Sequence, residues 1–224
     1  MVNQVYRLLK DMTKAEILKL LDMHCEHGHS PIEHPNCFKA YKSGEKIAIL
    51  DIESTGLTAS YGYVFSYALK PLGSKNIIGR VLTRKEILDH TFDKKLMKEF
   101  CKEVRKFDRV VCHYGIKIDV PFLRTRCIKH GLDFPLLKSI NISDTWLMSK
   151  FKLKLHSNRL QTIAEFFEIP AKGHKMNPHI WNRALSGCKD SLDWIWTHNK
   201  EDVETTEAVF ELLRDYYPST KRSI

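Results

Sequence analysis

The sequence predicts an α/β domain with a mixed central sheet flanked by helices, preceded by a small N-terminal helical segment with a Cys/His-rich loop. Three observations predict it. Residues 46–83 hold three strand-like runs joined by connections too short for crossovers. A strand–helix–strand unit follows within residues 93–113, and beyond it the apolar spacing becomes helical. The 224 residues are 43% hydrophobic, which supplies one packed core and excludes a disordered chain.

Residues 1–23 read as helical. Thr13-Lys14-Ala15-Glu16 is a capping box, Met12 and Ile17 are placed for a hydrophobic staple, and Ile17, Leu18, Leu20 and Leu21 form an apolar stripe. Next, two cysteines and three histidines fall between Cys25 and Cys37. His34-Pro35-Asn36-Cys37 has a two-residue gap that lets one tight turn present two ligands to zinc. Cys25 pairs with His29, or with His27 as the alternative; Gly28 permits the turn, and the three-residue gap to His29 closes with less strain. A structural Zn²⁺ on Cys25, His29, His34 and Cys37 would staple a loop without a core of its own. Residues 1–44 are therefore expected to be an appendage, 45–217 the main domain and 218–224 a basic tail.

The main domain opens on Lys46–Glu53, an apolar run rich in branched residues that ends on two carboxylates. Residues two apart share a strand face, so Asp51 and Glu53 point the same way. Such a pair suits a hard divalent cation, Mg²⁺ or Mn²⁺. Tyr63–Leu69 and Asn76–Leu82 are the next strands, with a turn at Pro71-Leu72-Gly73-Ser74. Asp93–Phe107 is an amphipathic helix, and Arg109–His113 a short apolar strand. Pro121 near the start and Gly131 past the end bracket a helix of about ten residues, with Asp119 at or just before its first turn. Asp144–Lys150 and Leu160–Ile169 read as further helices, the second capped by Ser157 or Asn158. His198-Asn199-Lys200-Glu201-Asp202-Val203 is expected to open the last helix, with His198 and Asp202 one turn apart. Trp181 and Trp194 are expected to anchor the core.

The formal net charge of +9 points to an acidic polymer as partner, most simply nucleic acid. Lys152, Lys154 and Arg159 in one loop and Lys172 and Lys175 in another are candidates for phosphate contacts. Tyr114 and Phe122 are candidates for stacking on terminal bases. No run of about 18 apolar residues is present, so no membrane span is expected. The first residues lack the order of a secretory leader, and four of the six cysteines sit in apolar or helical contexts, so a cytoplasmic, reducing setting is expected.

At this point the chain resembles the DEDD (DnaQ-like) 3′–5′ exonucleases of the ribonuclease-H-like superfamily. The first motif matches in Asp51-Ile52-Glu53-Ser54-Thr55-Gly56-Leu57, the second in Tyr114-Gly115-Ile116-Lys117-Ile118-Asp119-Val120-Pro121-Phe122-Leu123, and the third in His198–Val203. It looks most like the branch related to the exonuclease domain of family B polymerases, over residues 45–215. The resemblance implies a ribonuclease-H-like fold and two metal ions on Asp51, Glu53, Asp119 and Asp202. It implies substrate contacts at Thr55, Gly56 and Leu57, and release of 5′-mononucleotides from single-stranded or frayed 3′ ends, DNA more than RNA. The family carries a Tyr four residues, or a His five residues, before its last Asp. Here His198 occupies the Tyr spacing and Thr197 the His spacing. An imidazole there would orient or deprotonate the attacking water. The alternatives are a structure-specific endonuclease of the same superfamily and a non-catalytic nucleic-acid-binding adaptor.

Overall fold

A computed structural model of the chain describes residues 17, 22–24, 28–30, 45–134, 140–170 and 177–216. The capping box at Thr13–Glu16, the zinc ligands other than His29, the lysines at 172 and 175, and the basic tail lie outside the described residues. The chain divides between Lys46 and Ile47 into two units, and the architecture below is that of the second.

Five strands form one mixed sheet: β1 (Ile47–Ser54), β2 (Val64–Pro71), β3 (Ile78–Val81), β4 (Arg109–Cys112) and β5 (Asn141–Asp144), in the order β3-β2-β1-β4-β5. β1, β2 and β3 pair antiparallel, while β4 runs parallel to both β1 and β5. The short connections made the meander legible, and the helical crossovers make the other two strands parallel. Between and after the strands come α1 (Arg84–Leu88), α2 (Lys94–Val104), α3 (Asp119–Lys129), α4 (Thr145–Lys152), α5 (Leu160–Phe166), α6 (Pro178–Leu185) and α7 (Lys189–Leu213). Among the described residues no helix is long and apolar enough to cross a membrane.

Alternation along β1 assigns its two faces. Ala48, Leu50 and Ile52 enter a core with Phe65, Tyr67, Leu96, Met97, Phe100 and Leu123, under α2 and α3. Ile49 enters a second core with Val111, Met148, Ile163, Val203 and Phe210, under α4, α5 and α7. Asp51 and Glu53 continue the face of Ile49, so both carboxylates are directed toward the α7 layer. α7 is seated on the sheet at its far end by Glu207, which pairs with Lys70 of β2 and accepts the Gly73 N–H at 2.8 Å.

One buried charge braces the opposite layer. Asp93, fully buried before α2, accepts from Arg126 Nε at 2.7 Å and Nη2 at 2.6 Å. His130 Nε2 at 2.8 Å and the Val64 N–H at 3.0 Å complete its shell. Burial pushes the Asp93 carboxyl up, but the hydrogen bonds from Arg126, Val64 and His130 outweigh it and hold the group below its ordinary range.

The structure departs from the sequence expectations in four places. The last helix begins at Lys189 rather than at His198, because Leu192 and Ile195 continue the buried stripe of Asn199, Val203, Thr206 and Phe210 a full two turns upstream. Strand β5 was not expected; it is four residues long and carries Asn141 and Ser143 at positions where apolar residues signal a strand. α1 and α6 were not expected either; α1 opens on a capping box of Thr83 and Glu86, and α6 on Asn177 followed by Pro178. Helix α5 is capped at Arg159, not at Ser157 or Asn158, because Asn158 spends its side-chain oxygen on Ser149 Oγ at 2.7 Å.

Candidate metal centre

Strand β1, the α3 start and the middle of α7 bring the predicted acidic residues to one end of the sheet. Asp51 and Glu53 arrive on the strand, and His198 and Asp202 on consecutive turns of α7. His198 Nε2 lies 3.7 Å from Glu53 Oε1 and 3.6 Å from Asp202 Oδ2. One ligand atom from each of Glu53, His198 and Asp202 lies within 4.8 Å of the others, all three partly buried. Asp51 is joined to the same helix through Asn199, whose Nδ2 donates to Asp51 Oδ2 at 2.6 Å.

Asp119 is the first residue of α3, in the first turn and not its N-cap, which is Ile118. Its carboxyl is buried and pushed up to about 7, by desolvation first and then by the negative charges of Asp144 and Asp202. The loop before it is shaped to bring it there. A Cβ on Gly115 would stand 2.6 Å from Cys112 Sγ and 2.7 Å from Asp119 Oδ2, so only glycine allows this approach. Tyr114 adopts a left-handed conformation (φ 59°), which costs a non-glycine residue about 1 kcal/mol or more. Asp144 holds it there: its carboxylate accepts the N–H groups of Tyr114 at 2.8 Å and Ile116 at 3.1 Å while capping α4 through Trp146 N–H at 2.9 Å.

The imidazole of His198 is fixed by aromatic packing. It stacks on Trp194 with centroids 5.0 Å apart and planes at 19°, and meets the edge of Trp181 at 6.2 Å. Trp181 in turn donates its indole N–H to Ser54 O at 3.1 Å, at the end of β1. Both tryptophans pack against the larger core, as expected of anchors, and both also box the histidine.

The expected substrate residues fall into three groups. Leu57, 82% exposed, and Gly56 lie on the surface loop after β1, and Thr55 closes that loop by exchanging hydrogen bonds with Tyr63. Tyr114 is exposed and leans on Trp146 at 4.8 Å. Lys152, the last residue of α4, and Lys154 and Arg159 of the α4–α5 connection are exposed, and Asn158 of that connection makes a backbone hydrogen bond with His113, which also feels the charge of Asp202. Phe122 does not fit the stacking role: it is 3% exposed and its ring belongs to the core. The helical pattern that buries Val120 and Leu123 buries it too.

Four residues at the site escaped the sequence reading: Asp144, Trp194, Asn199 and Ser66. Trp194 carried a readable signal, since it precedes His198 by four positions and such pairs touch on a helix. Asp144 was readable as a helix cap and no more. Asn199 and Ser66 belong to residue types found everywhere, and their contact spans 133 positions.

The donor set fits divalent cations: hard carboxylate oxygens with one imidazole, in a cluster whose buried member, Asp119, resists ionisation because it is desolvated and, after that, because its neighbours are negative.

A family model described as the RNase_H superfamily matches residues 48–214. The chain is 26% identical over 140 residues to the PolC-type DNA polymerase III of Ureaplasma parvum serovar 3, covering 54% of this chain and 10% of that protein. Among solved structures it is similar to the family B DNA polymerase of the hyperthermophilic archaeon Pyrobaculum calidifontis, with a TM-score of 0.61 and 15% identity, over 77% of this chain and 25% of that one. The chain thus spans a tenth to a quarter of these polymerases, and the second likeness is one of fold. The mixed sheet, its helices and the family match agree that this protein belongs to the RNase_H superfamily.

Proposed function

We propose that the protein is a metal-dependent 3′–5′ exonuclease, hydrolysing phosphodiester bonds of DNA, and secondarily RNA, to 5′-mononucleotides. The observation that carries the proposal is the meeting of Glu53, His198 and Asp202 within 4.8 Å, with Asp51 tethered to the residue after His198 and Asp119 within the field of Asp202. Asp51, Glu53, Asp119 and Asp202 are the residues that would hold Mg²⁺ or Mn²⁺. Bound there, the cations supply neutralisation of the phosphate and activation of water.

The chain's own groups divide the remaining work. His198, held flat on Trp194, presents Nε2 between two carboxylates, where it takes the proton of a water attacking phosphorus. That attack breaks the bond to the 3′-oxygen of the penultimate nucleotide and leaves the phosphate on the 5′-carbon of the released one. Leu57 and Tyr114 offer exposed apolar surface for the terminal bases. Lys152 and Lys154, with Lys172 and Lys175 of the second basic loop, neutralise phosphates further along the strand. Such contacts read backbone rather than base edges, so sequence preference is weak.

A 5′-labelled single strand incubated with Mg²⁺ or Mn²⁺ should give a ladder of shortened products, abolished by chelation. An intact strand across metal concentrations and pH overturns the proposal. A circular single strand, which has no end, should survive; its cleavage would favour an endonuclease. For Cys25, His29, His34 and Cys37, zinc in the purified protein and its loss in Cys37→Ser is the expected result, and absence of zinc retires that part.

A further inference from the structure

Asn199 lies between His198 and the last acidic residue, yet no chemistry of the reaction calls for an amide there. It is fully buried, as is Ser66, the residue across from Glu53 in the β1–β2 ladder. Ser66 Oγ donates to Asn199 Oδ1 at 2.9 Å, and Asn199 Nδ2 donates to Asp51 Oδ2 at 2.6 Å. A line of three polar side chains therefore runs from β2 through α7 to β1, beneath the surface where the carboxylates meet. Ala68, directly opposite Asp51 in the ladder, adds no bulk on that face.

The orientation of this line is dictated from one end. An ionised Asp51 only accepts, so the amide must turn its NH₂ toward it. The carbonyl of Asn199 then faces Ser66, whose hydroxyl has to donate. Reversing the amide would set its carbonyl oxygen against the carboxylate with no proton between two acceptors, so a single arrangement survives. The charge-assisted bond to Asp51 is short, as such bonds are. It holds one carboxylate oxygen and so fixes the plane in which the other oxygen is presented.

We infer that Asn199 is a positioning residue for Asp51: with its amide locked by Ser66, it sets the carboxylate in the orientation that receives the divalent cation. The inference rests on the proposed metal-dependent function, and it assigns Asn199 no contact with substrate. Groups that orient metal ligands in this way are worth about 10- to 100-fold in metal affinity. Asn199→Ala is expected to weaken Mn²⁺ binding by that order, and Ser66→Ala by less, because the amide then keeps its acceptor on Asp51 but loses its lock.

The test is a Mn²⁺ titration of the whole 224-residue chain, followed by the electron-spin-resonance signal of free Mn²⁺, for wild type, Asn199→Ala, Ser66→Ala and Asp51→Asn. Each variant's melting temperature is measured with and without Mn²⁺. The expected result is a graded loss of affinity, Asp51→Asn the largest and Ser66→Ala the smallest, with a matching loss of metal-induced stabilisation. Nuclease activity of Asn199→Ala should recover as Mn²⁺ is raised, whereas that of Asp51→Asn should not. If Asn199→Ala melts lower without metal yet binds Mn²⁺ as wild type does, its role is packing alone and the inference falls. Should Asn199→Ala fail to fold, wild-type affinity in Ser66→Ala overturns it in its place. If wild type itself takes no Mn²⁺, the metal-dependent reading fails first and carries this one with it.

Discussion

Two buried aspartates, Asp93 and Asp119, sit in opposite circumstances. Asp93 is surrounded by Arg126, His130 and a backbone N–H, and its carboxyl lies below the ordinary range. Asp119 is desolvated and faces Asp144 and Asp202, and burial first and those charges second push its carboxyl up to about 7. The fold surrounds the first charge with donors and supplies the second with negative neighbours instead. A buried carboxylate surrounded by donors is a brace, and one desolvated among other carboxylates is, under the proposed function, where a cation would bind.

Substitutions at the two acidic sites should have different consequences. Asp51→Asn is expected to have the largest effect, a loss of about 10³-fold or more in nuclease turnover, with a melting temperature in metal-free buffer at or above that of wild type. A stability loss instead would make the acidic cluster a brace as well. Asp93→Ala leaves the Arg126 guanidinium buried without its partner and should cost about 3–5 kcal/mol in urea unfolding, while the Mn²⁺ affinity of the folded protein stays unchanged. His198→Ala should slow turnover by about 10²-fold with substrate binding, read by fluorescence anisotropy, nearly unaltered.

Acid titration separates the two sides further. The folded-state pKa of Asp93 is depressed, so its contribution to stability is complete above the unfolded value, about 3.9, and drains away as pH falls through the lower folded value. Wild type should therefore lose stability below pH about 4 more steeply than Asp93→Asn. Equal slopes would show that the Arg126–His130 shell does not hold the charge. The smallest effect is expected at Thr83→Ala, which removes the α1 cap and should cost about 1 kcal/mol with activity intact.

How far the sequence could be read follows the range of the interactions. Glu53, His198 and Asp202 were legible because strand alternation and helical spacing fix which side chains share a face within a few positions. The meander was legible because its loops are short. Strand β5 was not, since it draws its place from parallel pairing with β4 and carries little apolar signal of its own. The Ser66–Asn199–Asp51 line was invisible for a related reason: three elements must be folded together before any of its bonds exists. Phe122 erred the other way, since its place in the second motif suggested exposure while the neighbouring Val120 and Leu123 take the helix face into the core.

Trp194, His198, Asn199 and Asp202 all ride on the same 25-residue helix. A rod of that length moves as a piece, so a small roll of α7 away from the sheet would separate imidazole, amide and carboxylate from β1 together. The site is thereby given an all-or-none character: half-assembled forms with one contact kept and the others lost are disfavoured by geometry alone. A partner or strand that tightens the seat of α7 along its length, for example at the Glu207–Lys70 latch about one and a half turns beyond Asp202, would be felt where the carboxylates meet.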